Sequence, residues 1–317
     1  MAKLTGPLFS ETAHGTLADV LTYSNRKKVK QVRFQKKQVI AKPNFAPADN
    51  QSLYRLIIAR WRSFSQNQQD VYNQEAIDEN LQITGWNLFV RKAMGDPLVY
   101  LGLAGYWTFN REGFETALDI SKNGNDGKLE PTWPTNSPKY IDSKNSQMRK
   151  ALIFDGVNDY VDCGNDKSLF INSGDFTVSY WAKVPPQTDG SAYPAVSLWE
   201  NYSNFTLFGF SNERIRCFAK TDGVDSFHIS LAGIFNRWVC YSWVHTISDK
   251  TLYLYVNGVY EAHSSDKTIF DGQPNINIGI RTSAFFPMKG IIDEVSIYNR
   301  ALSAGEIKDI YNMYNVK

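Results

Sequence analysis

Four groups of residues in this sequence have types and spacings suited to chemistry. The turn Asp119-Ile120-Ser121-Lys122-Asn123-Gly124-Asn125-Asp126-Gly127 sets oxygen-bearing side chains at alternate positions, as a hard-cation loop does. It lacks the spaced glutamate that completes an EF-hand, and Asp119, Asn123 and Asn125 equally suit simple side-chain turns. The stretch Trp199-Glu200-Asn201-Tyr202-Ser203-Asn204-Phe205 mixes rings with polar side chains, and Arg281 with Phe285-Phe286 repeats the mixture. Sugars offer flat apolar faces edged with hydroxyls, so Trp199, Asn201, Tyr202, Asn204, Arg281 and Phe285 form a candidate glycan site. The alternative for any one of these rings is packing within a core or an interface.

The third group is basic. Arg26, Lys27, Lys28, Lys30, Arg33, Lys36 and Lys37 fall in twelve residues with Phe34 as the single aromatic. Such a run can neutralise phosphates. Its polar–apolar alternation suits the solvated or protein-docking face of a strand better, so it is read as an anchoring face rather than a nucleic-acid site. The fourth group is the acids. Cleaving a glycosidic bond takes two carboxyl groups flanking it, whereas the adjacent Asp293 and Glu294 would point to opposite faces of a strand. There is no GxSxG, HExxH or Walker motif, and the four histidines (His14, His228, His245, His263) are scattered. The expectation is a protein that is not an enzyme.

These groups need elements to hold them. The chain has 317 residues, 43% of them hydrophobic and 14% aromatic, which excludes a disordered chain. No apolar run reaches the length of a membrane helix, and the first residues lack the apolar core of a signal peptide, so synthesis in a cytoplasm is expected. Cys163, Cys217 and Cys240 have no metal or redox spacing and read as buried small hydrophobes. The net charge of +2 conceals a split: residues 1–98 carry 14 Lys and Arg against 8 Asp and Glu, and the rest carry 20 against 24. Two modules with different partners are expected.

Before residue 98 the pattern predicts short strands and then three helices. Asp49 or Asn50 would cap the first, Ser65 a second over 66–77 with Val71, Tyr72 and Ala76 inward, and Thr84 a third that ends at Gly95-Asp96-Pro97. From Val99 the period becomes two. Strand character recurs over 105–110, 150–154, 160–163, 176–184, 205–210, 214–219, 227–230, 238–247, 251–256, 275–280 and 290–298. Asn257-Gly258 between two such runs is a hairpin signal, and Ser303-Ala304-Gly305-Glu306 is a capping box opening a last helix. Trp107, Trp181 and Trp238 are expected in the core.

Several segments resemble the concanavalin A-like jelly roll of the laminin G and pentraxin kind. They are Gly105–Asn110, Leu118–Gly127, Ala151–Val161, Phe176–Trp181, Leu254–Gly258 and Gly290–Ser303, in that order, and the resemblance spans 102–317. It implies two antiparallel sheets, a concave face that meets glycans, and a structural calcium ion. Asp293 would supply a carboxylate to that ion, with oxygens from Asn110, Asp155 or Gly156, and the Asp119 turn is a second place for it. Chelation would then lower the melting temperature. Jelly-roll hydrolases of this fold carry Glu-x-Asp-x-Glu or Glu-x-Asp-x-x-Glu on one strand, a run this sequence lacks.

Residues 5–95 resemble the leading segment of bacteriophage structural proteins, through Gly6–Ser10, Gly15–Leu17, Leu21–Ser24, Trp61 and Gly85–Phe89. The resulting expectation is a mostly β chain: a basic α+β anchoring domain at 1–98 and a lectin-like jelly roll at 99–317. Together they suggest a virion surface protein, decorating a capsid or fibre, that forms homo-oligomers. Its partners would be a structural protein such as the major capsid protein and a host glycan, with no membrane partner. A tail-associated receptor-binding lectin, and a glycoside hydrolase or its accessory carbohydrate-binding module, are the alternatives.

Overall fold

The alternation around Thr16–Phe34 forms a three-stranded antiparallel ribbon of β1 (Gly15–Leu17), β2 (Leu21–Arg26) and β3 (Val29–Phe34), paired in that order. Arg26, Lys30 and Arg33 fall on β2 and β3. Lys27, Lys28, Lys36 and Lys37 lie outside the described residues. The structure is a computed structural model that describes residues 15–17, 21–26, 29–34, 47–78, 83–95 and 102–315. Within the last range it leaves out 122, 133–134, 146–147, 170–173, 187, 189–191, 203, 266–273 and 282–285. Two compact units result, one drawn from Met1–Phe45 and Ser65–Phe89, the other from Ala46–Phe64 and Val90–Lys317.

Three helices follow the ribbon: α1 (Pro47–Ser63), α2 (Gln66–Asp78) and α3 (Gly85–Gly95). Helix α1 begins before Asp49, because Pro47 suits a first turn where its missing N–H breaks no bond. Ser65 caps α2 as expected, in a reciprocal box: Gln68 N donates to Ser65 Oγ at 3.4 Å and Ser65 N to Gln68 Oε1 at 2.8 Å. Ala76 is buried and Tyr72 meets Phe89 edge-on with centroids 5.2 Å apart, but Val71 is 63% exposed. Tyr72 and Ala76 share a face at i, i+4, and the neighbouring Val71 is turned off it. Thr84 Oγ1 accepts from Asn87 N at 3.2 Å, Phe89 and Val90 are buried, and α3 stops at the expected glycine.

In the second unit the chain runs through β4 (Leu103–Trp107), β5 (Thr116–Ala117), β6 (Gly127–Glu130), β7 (Lys139–Asp142), β8 (Lys150–Asp155) and β9 (Tyr160–Asp162). It continues as β10 (Phe176–Lys183), β11 (Tyr193–Asn201), β12 (Asn204–Ser211), β13 (Arg214–Thr221) and β14 (Val224–Ala232). Then come β15 (Val239–Thr246), β16 (Thr251–Val256), β17 (Val259–Ser264), β18 (Asn275–Ile278), β19 (Lys289–Tyr298) and helix α4 (Ala304–Tyr314). The first sheet has the order β17-β16-β15-β10-β19-β8-β7, with β4 beside β19. The second has the order β14-β13-β12-β11-β18-β9-β6-β5. Their inward residues, among them Trp107, Phe176, Tyr180, Phe208 and Trp243, form one core, as period-two alternation on two facing sheets requires.

Local signals set the details. Asn257 and Gly258 both take positive φ, 52° and 78°, and close the β16–β17 hairpin. Strand β11 is central yet carries Pro194, so its sequence does not read as a strand. Pro194 is tolerated because the register slips there, at a bulge between Pro194 and Val196.

Helix α4 covers part of the outer face of the first sheet, where Tyr311 stacks on the fully buried Trp181 at 5.6 Å and Tyr314 Oη lies 2.7 Å from Tyr106 Oη. Trp238 is only partly buried there. The capping box is present: Glu306 N donates to Ser303 Oγ at 3.3 Å and Ser303 N to Glu306 Oε2 at 3.0 Å. Helix α1 packs on α4. The Glu306 carboxylate accepts from Arg60 Nη1 at 2.9 Å and from both Nη atoms of Arg300, at 3.1 and 2.7 Å.

Candidate functional site

The site begins on the second sheet, where Val196 and Leu198 of β11 enter the core and Ser197 and Trp199 face away from it. Trp199 sits opposite Phe205 of β12 and Asn275 of β18. Its ring stacks on Phe205 at 5.3 Å and meets Tyr202 edge-on at 5.2 Å. The segment after β18 is tied to the same strand, because Ser197 Oγ donates to the Ile280 carbonyl at 2.7 Å. That bond delivers Arg281 to the rings. Its guanidinium carbon lies 4.6 Å from the centroid of Trp199, 4.7 Å from Phe205, 5.2 Å from Phe286 and 5.4 Å from Tyr202.

A cation over ring faces is attracted by their negative quadrupoles, more strongly as water is removed. Burial lowers the Arg281 pKa, opposed by Tyr202, yet an arginine keeps its charge throughout the working range. The cluster thus offers a fixed positive charge beside a 63% exposed tyrosine ring, with Glu200 and Asn201 exposed next to it. Of the six predicted glycan-site residues, Trp199, Tyr202 and Arg281 meet here. Asn201 lies at the end of β11 opposite Asn204, and Phe285 lies outside the described residues. Phe205 is the ring the sequence reading left out of the site; the alternation of β12, with Phe208 and Phe210 inward, is the signal that turns it outward.

The predicted calcium residues do not meet at one point. Asp119 is buried and its carboxylate is taken up by the protein: Tyr106 N (2.9 Å), Ser121 N (2.8 Å), Ser121 Oγ (2.8 Å) and Asn125 N (3.0 Å) all donate to it. Burial raises its pKa, and those bonds oppose the rise. Asp293 is fully buried and accepts from Ser143 Oγ and Glu294 N. Asn110 Oδ1 accepts from Lys150 N at 3.2 Å. Asp155 and Gly156 are at the other end of β8 from Lys150, about 16 Å away at a strand's rise per residue. Among the described residues no group of three His, Cys, Asp or Glu converges as metal ligands.

Of the oxygens expected beside Asp293, those of Asp155 and Gly156 thus lie at the far end of β8 from Asn110, and at the second expected place the Asp119 carboxylate already has four donors. Melting curves in EDTA and in millimolar calcium test the expected ion: a Tm lowered by EDTA and restored by calcium supports it, and coincident curves overturn it. Asp155 instead borders a cleft of about 560 Å³ with Asp159, Lys139, Lys183, Lys289 and Asn236. Burial there pushes the Asp159 carboxyl up to about 6. The three cysteines are buried as expected, and burial pushes the Cys240 thiol up to about 12.

Two antiparallel sheets packed face to face, with one helix across the outside of the first and an arginine–aromatic cluster on the outside of the second, define a jelly-roll sandwich. Residues 155–308 match the family model of the concanavalin A-like lectin/glucanases superfamily, and the resemblance read from the sequence is borne out. None of the curated proteins compared with the chain matches it.

Three solved structures share the fold. Domain 4 of a GH43 extracellular arabinanase from Geobacillus stearothermophilus, in complex with arabinotriose, is similar at 18% identity and TM-score 0.52, over 66% of this chain and 97% of that one. The binding domain of Paraclostridial Mosquitocidal Protein 1 is similar at 20% identity and TM-score 0.53, over 67% of this chain and 52% of that one. The botulinum neurotoxin type G receptor binding domain is similar at 13% identity and TM-score 0.51, over 66% of this chain and 51% of that one. This chain thus spans about half the length of the two toxin domains.

Proposed function

We propose that the jelly roll is a glycan-binding module whose site is the Arg281 cluster, displayed on a virion surface and anchored there by the basic N-terminal segment. The observation that carries the binding reading is the cluster itself: four rings around one guanidinium, with Tyr202 open to solvent. An exposed ring can stack on a sugar face while arginine and amide groups take the hydroxyls. The arabinotriose complex of the arabinanase domain and the likeness to the two toxin binding domains support binding rather than catalysis as the role of this chain. The charge split and the phage-like N-terminal residues support the display reading.

A glycan array read with the full chain tests the binding half. Trp199→Ala is expected to abolish whatever binding the wild type shows while leaving the melting curve in place. A correctly folded wild type that binds nothing would overturn the proposal. For the display half, immunogold labelling of released particles is expected to mark their surface, and Arg26→Glu/Lys30→Glu/Arg33→Glu to remove the label. Unlabelled wild-type particles would refute it. Label confined to the tail would favour the receptor-binding alternative.

A further inference from the structure

The Arg281 cluster is one end of a longer feature on the outward side of the second sheet. On β12, residues 205, 207 and 209 face away from the core, and on β13 their partners are Lys220, Phe218 and Arg216. Phe205 contacts Phe218 with centroids 5.5 Å apart, so the rings run Trp199, Phe205, Phe218 without a break. Beyond Phe218 and Leu207 the surface dips into a cavity of about 220 Å³ lined by Tyr193, Pro194, Gly209 and Arg216. Arg216 is opposite Gly209, four residues along β12 from Phe205. Phe205, under Arg281, and Gly209, beside Arg216, are therefore about 13 Å apart along β12 at a strand's rise per residue.

Both arginines are in the same unfinished state. Arg281 Nε and Arg216 Nε are both buried, and among the described residues neither has a hydrogen-bond partner. The neighbouring Arg214 shows the contrast: its Nε donates to Ser230 Oγ at 2.6 Å and its Nη2 to the Ser230 carbonyl at 2.9 Å. A guanidinium is a planar fork matched to a carboxylate. Two such forks, each with an Nε lacking an acceptor and joined by an apolar strip, match a chain with acidic groups along its length and flat faces between them.

Resting on the glycan reading above, we infer that this strip binds an acidic oligosaccharide lengthwise, with one carboxylated sugar at Arg281, another at Arg216, and the intervening sugar over the partly exposed Phe218. A neutral glycan would offer each fork only hydroxyl oxygens, without the opposite charge and paired planar oxygens of a carboxylate. A single acidic sugar would fill only one.

Calorimetric titration of the full chain tests this with three probes: a long oligogalacturonide, monomeric galacturonate, and a neutral arabino-oligosaccharide. The oligogalacturonide is expected to bind about tenfold or more tighter than either of the others, and to weaken as salt rises. Arg281→Gln and Arg216→Gln are each expected to weaken it about tenfold, the loss of one charged hydrogen-bonded contact. Both variants should retain the wild-type circular dichroism spectrum and melting curve. Neutral and acidic chains binding equally, with both variants unaffected, would overturn the acidic specificity and leave the glycan reading standing. Loss at Arg281 without loss at Arg216 would overturn the lengthwise placement. Binding of no probe would overturn both readings.

Discussion

Asp119→Ala is expected to cost about 4 kcal/mol, because it leaves three backbone N–H groups and a hydroxyl in the interior without their acceptor. The three amides belong to Tyr106, Ser121 and Asn125. They join β4 to the turn that runs to β6, and Asn125 in turn accepts the Trp107 indole N–H at 2.9 Å. One carboxylate thus holds the start of the first sheet, the turn and a buried tryptophan in register. For a unit of this size the loss corresponds to a fall in Tm of about 10 °C. Asp119→Asn keeps one acceptor oxygen, sufficient for Tyr106 N and Ser121 N, and is expected to lose about half as much. Differential scanning calorimetry at neutral pH checks both. An alanine variant melting within 2 °C of wild type, below about 1 kcal/mol on that scale, would show that the turn is held by something else.

Removing the Glu306 carboxylate is the other large loss, and its size depends on pH. Burial alone would raise this acid, but the hydrogen bonds and charge of Arg300, the Ser303 amide and the charge of Arg60 outweigh it and bring its pKa down to about 2 from an ordinary 4.5. A carboxyl whose pKa is lower in the folded state stabilises it above the unfolded value. That contribution, about 3 kcal/mol from a shift of this size, is fully present above pH 4.5 and is lost as pH falls toward 2. Glu306→Gln is expected to melt about 9 °C below wild type at pH 7 and to converge with it near pH 2. Glu306→Ala adds the loss of the helix cap and falls further. Parallel melting curves at every pH would contradict the linkage.

The contrast between these two acids shows what a sequence of this kind discloses. Asp119 and its turn are local, so the polar alternation was visible, with cation binding and side-chain turns both open until its four donors are seen. The Ser303 box and the Asn257-Gly258 turn are also short-range and were legible. One partner of Glu306, Arg60, lies 246 residues earlier, and no periodicity reports a pairing at that separation. Strand β11 was hidden by a proline that only the bulge explains. At the candidate site, composition pointed to Trp199, Tyr202 and Arg281. The extension to Phe218 and Arg216 came from the register of β12 and β13, which composition does not contain.

The hairpin closed by Asn257 and Gly258 has a consequence for how the protein ages. An asparagine followed by glycine is the dipeptide most prone to lose its amide nitrogen through a cyclic imide, formed when the glycine nitrogen attacks the side-chain carbonyl. Here that carbonyl accepts Cys240 N at 3.0 Å, and Asn257 N donates to the Cys240 carbonyl at 2.8 Å. A β-carbon on Gly258 would lie 3.1 Å from Tyr311 Cβ, so the turn is pressed against α4. Turning the Asn257 side-chain carbonyl toward the Gly258 nitrogen takes its oxygen away from Cys240 N. The fold therefore protects this Asn-Gly pair, and isoaspartate accumulating there would report local opening of this corner.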